Sequence, residues 1–121
     1  MQKVVCKLTN TNFYLEKDIE LQIVEEGKIT RKIKAHQGTM MMVEVYFENG
    51  AIGYNHTHKH EQATYCLEGE FEFTVSDEMK VIKAGDTVYI PPMVDHGCVL
   101  KSASGRLLDV FTPQREDFLS K

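Results

Sequence analysis

Four side chains in this sequence can converge on one cation. His56 and His58 stand two residues apart, Gln62 follows shortly after, and His96 lies far down the chain. Histidines at i and i+2 of an extended strand face the same way, so both imidazoles can reach a single ion. A short turn after His58 brings the Gln62 carbonyl oxygen back toward that face from a neighbouring strand, and His96 adds a third imidazole from a strand distant in sequence. Three imidazoles and an amide are neutral donors, which leave the full charge of a divalent ion available to an anionic ligand. The set accepts nickel, zinc, iron, manganese or copper, so it predicts one divalent transition metal ion of open identity. His60 and Glu61 stand beside these residues but out of frame, with His60 at the expected turn, and neither is expected as a ligand. Cys98 shares strand parity with His96 and is expected as a small core residue, and His36, next to a turn, is expected at the surface.

A second constellation lies toward the C-terminus. Strand alternation groups Asp109 with Leu107 and Phe111 on one face and Leu108 with Val110 on the other. Asp109 is then an acid among apolar neighbours, and burial alone would raise its pKa and cost stability. Such a carboxylate is either held by a partner or kept for proton transfer. Arg115, six residues on, is a candidate partner for Asp109 and equally a candidate clamp for a substrate carboxylate.

The elements that must position these groups read as strands. From Glu70 to Val75 the chain alternates, with Phe71, Phe73 and Val75 on one face and Glu70, Glu72 and Thr74 on the other. Further strands are expected at Ile19 to Val24, Ile29 to Ile33, Met40 to Phe47, Ala63 to Leu67, Lys80 to Ile82, Thr87 to Ile90, Gly97 to Leu100 and Leu107 to Thr112. Turn residues such as Glu48-Asn49-Gly50, Glu68-Gly69 and Ala84-Gly85-Asp86 separate them. Short strands at this spacing predict an all-β sandwich or barrel. Thr112-Pro113 resembles a helix N-cap followed by proline at the first helical position, which predicts a short closing helix over Gln114 to Leu119. Met40 to Met42 read as flexible core filler within a strand. The alternation of Val4, Cys6 and Leu8 suits an N-terminal strand laid against a sheet edge, its own or a partner's.

Composition bounds the rest. At 121 residues and 13.9 kDa the chain is expected to be one domain, 1–121, with a core that needs neither disulfide nor structural metal. Fourteen Lys and Arg against 18 Asp and Glu give a formal charge of -4, the wrong sign for a phosphate-backbone binder, so nucleic acid is not expected as a partner. The three cysteines are widely spaced without a C-x-x-C pair, the N-terminus has no signal-peptide apolar core, and no stretch approaches a membrane span. A cytoplasmic protein without membrane partners is expected.

Two stretches carry a resemblance to a known superfamily. Gly50, His56, His58 and Gly69 match the first motif of the cupins, which runs Gly, five residues, His-x-His, three or four residues, Glu, six residues, Gly. Gly85, Pro91 and His96 match the second, in a motif region of about 50–100. Gln62 stands where that pattern has Glu, Met93 where it has Gly, and Leu100 where it has Asn. The first change removes a negative charge from the metal shell, and the second falls in the turn before His96. Resemblance to the cupins implies a small jelly-roll β-barrel.

Beyond the motifs, the stretches around Met40 to Phe73, Ala84 to Cys98 and Leu107 to Leu119 resemble the small cupins of bacterial uronate catabolism. That likeness implies conversion of 4,5-unsaturated monouronates, released from pectin or alginate, into the linear 5-keto-4-deoxyuronate. It implies His56, His58, Gln62 and His96 as metal ligands, Asp109 and Arg115 as catalytic residues, Phe111 and Arg115 against an acidic sugar, and a homodimer. Cupin architecture alone does not fix activity, so an iron-dependent dioxygenase and a non-catalytic sugar or small-acid binder stay open.

Overall fold

The computed structural model describes residues 11–119, in which ten strands and two short helical turns form two facing sheets. A 3-10 turn at Glu16–Asp18 precedes β1 (Leu21–Glu25), β2 (Ile29–Gln37), β3 (Met40–Glu48), β4 (Ile52–His56), β5 (Glu61–Glu68), β6 (Glu70–Val75), β7 (Glu78–Lys83), β8 (Thr87–Ile90), β9 (His96–Leu100), β10 (Ser104–Thr112) and the helix α1 (Glu116–Leu119). One sheet has the order β1-β2-β3-β10-β5-β8 and the other β4-β9-β6-β7, with every pairing antiparallel. This is a jelly-roll β-barrel of the expected all-β class. Among the described residues no helix is long and apolar enough to cross a membrane.

The alternation expected along Glu70–Val75 holds, with Phe71 and Phe73 buried between the sheets. Phe71 meets Phe47 of the opposite sheet edge-on, ring centres 5.0 Å apart, and Cys66, Ile90, Leu100 and Leu107 close the core around them. A smaller cluster of Met41, Val43 and Phe111 packs with Ile33, Val45 and Phe118.

Several local expectations give way to tertiary packing. Only Met41 of the methionine triplet is core, because Met40 and Met42 point out from the other side of the pleat. Thr112 is not a helix cap: it remains in β10, in register with Glu61, so Pro113 follows a strand and the helix is delayed to Glu116. The Thr112-Pro113 peptide is cis. β10 begins at Ser104 rather than Leu107, because Ser104 and Gly105 pair with Glu48 and Phe47 of β3. The segment around Val4, Cys6 and Leu8 lies outside the described residues.

Two glycines are required by close approach. At Gly69, φ +89°, a Cβ would stand 2.5 Å from the Ser104 carbonyl oxygen, so the β5–β6 turn can press against the start of β10 only without a side chain. At Gly97 a Cβ would stand 2.8 Å from the Gly53 carbonyl oxygen, so β4 can lie this close to β9 only beside a glycine. That second approach places His56 directly opposite His96.

Candidate functional site

His56 ends β4 and His96 begins β9, and the two are register partners, which brings residues distant in sequence onto one rung. Their ring centres are 4.5 Å apart. His58 does not share the strand with His56 as its spacing suggests. It lies past the end of β4 in the loop before β5, and its ring still lies 5.3 Å from His56 and 4.7 Å from His96. Gln62 arrives on β5, which belongs to the facing sheet and is not a neighbour of β4. The site is therefore spanned by both sheets. One potential ligand atom from each of the three histidines lies within 4.8 Å of the others.

Hydrogen bonding fixes which ring nitrogens are available. His56 Nδ1 faces the Tyr54 carbonyl oxygen at 2.9 Å, His58 Nδ1 that of His60 at 3.0 Å, and His96 Nδ1 that of Val94 at 3.0 Å. A carbonyl oxygen only accepts, so each Nδ1 carries the proton and each Nε2 of a neutral ring presents a bare lone pair. His58 Nε2 also faces Gln62 Oε1, at 2.9 Å, while Gln62 Nε2 donates to Thr64 Oγ1 at 2.9 Å. Two lone pairs thus oppose each other, and a cation would satisfy both. Burial, with the charge of Arg115, lowers the His58 pKa, and burial brings that of His96 down to about 4, so protonation is not the favoured remedy. Three neutral imidazoles and an amide oxygen fit a divalent transition metal.

The second constellation opens onto the same space. Asp109, Phe111 and Arg115 line a cavity of about 240 Å³ together with His56, Gln62 and His96. Thr64 Oγ1 donates to Asp109 Oδ1 at 2.7 Å. Burial drives the Asp109 pKa up to about 6, against the opposing pull of the Thr64 and Gln62 hydrogen bonds and the Arg115 charge. Arg115 is bound by Asp117, with Nε donating to Oδ1 at 3.0 Å and Nη2 to Oδ2 at 2.9 Å. Its guanidinium carbon lies 5.3 Å from the centre of the Phe111 ring and 4.3 Å from that of Phe118. Of the two roles open to Arg115, hydrogen-bond partner of Asp109 is filled instead by Thr64.

The neighbours set aside in the sequence take defined places. His60 is buried against Phe111 and His58, with its Nδ1 unpartnered, and Glu61 accepts from Tyr89. His36 is half-buried, with its ring 5.8 Å from that of Tyr14. Cys98 is a core residue that also lines the cavity, and burial lifts its thiol to about 12. Sequence reasoning passed over Thr64, Arg31 and Phe118. Thr64 shares inward parity with Gln62 and Cys66, and Arg31 with Ile29 and Ile33, so a polar residue on an apolar row was the signal for both.

Comparison with known proteins accords with this geometry. The model of the cupin domain matches residues 43–111. The pectin degradation protein KdgF of Dickeya dadantii (strain 3937) is 34% identical over 108 residues, covering 88% of this chain and 97% of that protein. Among solved structures, an RmlC-like cupin from Shewanella frigidimarina NCIMB 400 superposes with a TM-score of 0.83 at 39% identity, covering 89% of this chain and 96% of that one. KdgF from Halomonas sp. superposes with a TM-score of 0.81 at 36% identity, over 88% and 98% of the two chains. With two facing sheets, a three-histidine cluster and these matches over most of its length, the chain belongs to the cupin family and resembles its KdgF members.

Proposed function

We propose that this protein converts 4,5-unsaturated monouronates from pectin or alginate breakdown into the linear 5-keto-4-deoxyuronate. The observation that carries the proposal is the placement of Asp109, held by Thr64 and with its pKa raised to about 6, in one cavity with the His56, Gln62 and His96 side chains. Similarity to the pectin degradation protein KdgF of Dickeya dadantii supports the substrate class.

The overall change is an isomerisation. The C1 hydroxyl loses its proton, the bond from C1 to the ring oxygen breaks to give an aldehyde, and the ring oxygen becomes an enolate on C5. Protonation at C4 then gives the 5-ketone. A carboxyl with a pKa near 6 can take the first proton and return it to carbon near neutral pH. Asp109 has that value and an exit from solvent competition, since it lies on the inward row of β10 with Leu107 and Phe111. His56, His58, Gln62 and His96 would hold a divalent metal, which when bound supplies Lewis acidity toward the sugar's oxygens. Phe111 lines the cavity where its ring would meet the sugar, and Arg115 adds positive charge to a cavity that must accept an acid. A homodimer belongs to the same proposal, and gel filtration at twice 13.9 kDa is its expected outcome.

The test is Asp109→Asn. The variant should bind metal as the parent does and lose on the order of 10²- to 10⁴-fold in the rate at which the ultraviolet absorbance of the unsaturated sugar decays. Full retention of that rate rules out Asp109 as the proton carrier.

A further inference from the structure

Arg31 is a cavity residue that the chemistry above does not use. It stands on the inward row of β2 between Ile29 and Ile33, and it lines the cavity with Asp109, Phe111 and Arg115. A guanidinium turned inward is costly unless something there takes its charge. Its Nε donates to the neutral amide oxygen of Gln22 at 2.8 Å, and its Cζ lies 3.7 Å from the centre of the Phe118 ring. Asp117 is the acid whose field reaches Arg31, yet both Asp117 oxygens are on Arg115. Arg115 reaches the same Phe118 ring, so two cations crowd one aromatic side chain while one carboxylate serves only the second of them. Burial pulls the Arg31 pKa down, against the opposing pull of Asp117, and the repulsion from Arg115 adds to the lowering.

We propose that Arg31 holds the anionic group of the ligand, seating the carboxylate of an acidic sugar on its terminal nitrogens beside Phe118. This rests on the uronate function proposed above and adds the residue that recognises the acid. The Nη1 and Nη2 edge of a guanidinium matches a carboxylate in a bidentate fork, and Gln22 at Nε fixes the plane of that fork. Arg115, with Nε and Nη2 engaged by Asp117, has less of its own fork to offer.

The test uses metal-loaded protein and galacturonate, which lacks the 4,5 double bond and is not consumed, with galactose as the neutral control. Wild type should bind galacturonate at least tenfold more tightly than galactose, and the Arg31 side-chain resonances should move on saturation with galacturonate only. Arg31→Gln and Arg31→Met should lose about tenfold or more in galacturonate affinity with metal content and galactose binding unchanged, and Arg31→Lys should recover part of the loss. Unchanged galacturonate affinity in Arg31→Gln and Arg31→Met overturns the proposal. So do Arg31 resonances that stay still in saturated wild type, a measurement that stands even if the variants do not fold. If wild type binds neither sugar, the uronate function and the role of Arg31 fall together. If wild type turns over the unsaturated sugar and Arg31→Gln does so with the same KM, only the role of Arg31 falls.

Discussion

Thr64 donates its hydroxyl proton to Asp109 Oδ1 across 2.7 Å and accepts one from Gln62 Nε2 at 2.9 Å. One fully buried hydroxyl therefore joins the candidate proton carrier to a candidate metal ligand. The direction of both bonds is set by arithmetic: threonine has one proton to give, an ionised Asp109 can only accept it, and the Gln62 amide must then turn its nitrogen to Thr64. Its oxygen is left facing His58. Through this relay the ionisation of Asp109 orients an oxygen at the three-histidine cluster.

Replacing Thr64 with valine keeps the volume and deletes the relay. Asp109 loses a hydrogen bond that favours its ionised form, so its pKa rises above the parent value of about 6, by roughly one unit for a bond to a charged group. The acid limb of the profile of kcat/KM against pH should move to higher pH by that amount, and activity at pH 7 should fall. An acid limb that does not move would show that Thr64 serves packing alone.

Asp109 also makes stability depend on pH, and the sign follows from its raised pKa. A carboxyl that titrates near 6 in the folded protein and near 3.8 in the unfolded chain binds its proton more tightly when folded. The stabilisation is complete below the unfolded value and is lost as pH rises through 6. In protein stripped of metal, Asp109→Asn should therefore be more stable than the parent by about 3 kcal/mol at pH 7.5, with the difference shrinking to about 0.5 kcal/mol near pH 4. His96, lowered to about 4, titrates in both proteins and cancels from the difference. Urea unfolding with chelator at the two pH values checks this, and a gap independent of pH would refute it.

The strands were legible because their apolar rows alternate cleanly, as at Phe71 and Phe73, and alternation is a local property. The grouping of Asp109 with Leu107 and Phe111 was legible for the same reason. What escaped was set by partners elsewhere in the fold. Nothing local shows that β4 and β5 lie in different sheets, so Gln62 appeared to come from the neighbouring strand. The helix expected from Gln114 was pre-empted by pairing of Thr112 with Glu61. The partner of Asp109 proved to be Thr64, 45 residues away, where sequence proximity suggested Arg115.

Gln62 is where this chain departs from the acidic residue of the cupin motif, and restoring it should separate metal affinity from activity. Gln62→Glu adds a negative donor beside three neutral imidazoles, so divalent metal should bind more tightly, on the order of tenfold. A carboxylate cannot donate to Thr64, and its charge adds to that of Asp109 in the same cavity. The Asp109 pKa then climbs and an anionic sugar is repelled, so kcat/KM should drop at least about tenfold. Chelator competition and the absorbance assay on one preparation give both numbers, and a rise in both would refute the neutral-shell argument.

Met93 is another departure, and its backbone shows what the missing glycine costs. It adopts φ 63°, in the left-handed region, and its N–H donates to the His58 carbonyl oxygen at 2.7 Å, tying the turn before His96 to the loop of His58. The turn therefore forms without glycine, at about 1–2 kcal/mol of strain in an L-residue. The side chain is 63% exposed, so its removal forfeits little packing. Met93→Gly should stabilise the fold by about 0.5 kcal/mol, because relief of the strain exceeds the added freedom of the unfolded chain. Met93→Val, branched at Cβ, should destabilise it by about 1 kcal/mol. Metal affinity should be unchanged in the glycine variant, since the backbone bond to His58 survives. Denaturant midpoints in the reverse order, with valine above methionine and glycine below, would show that this turn relaxes out of the left-handed conformation in solution.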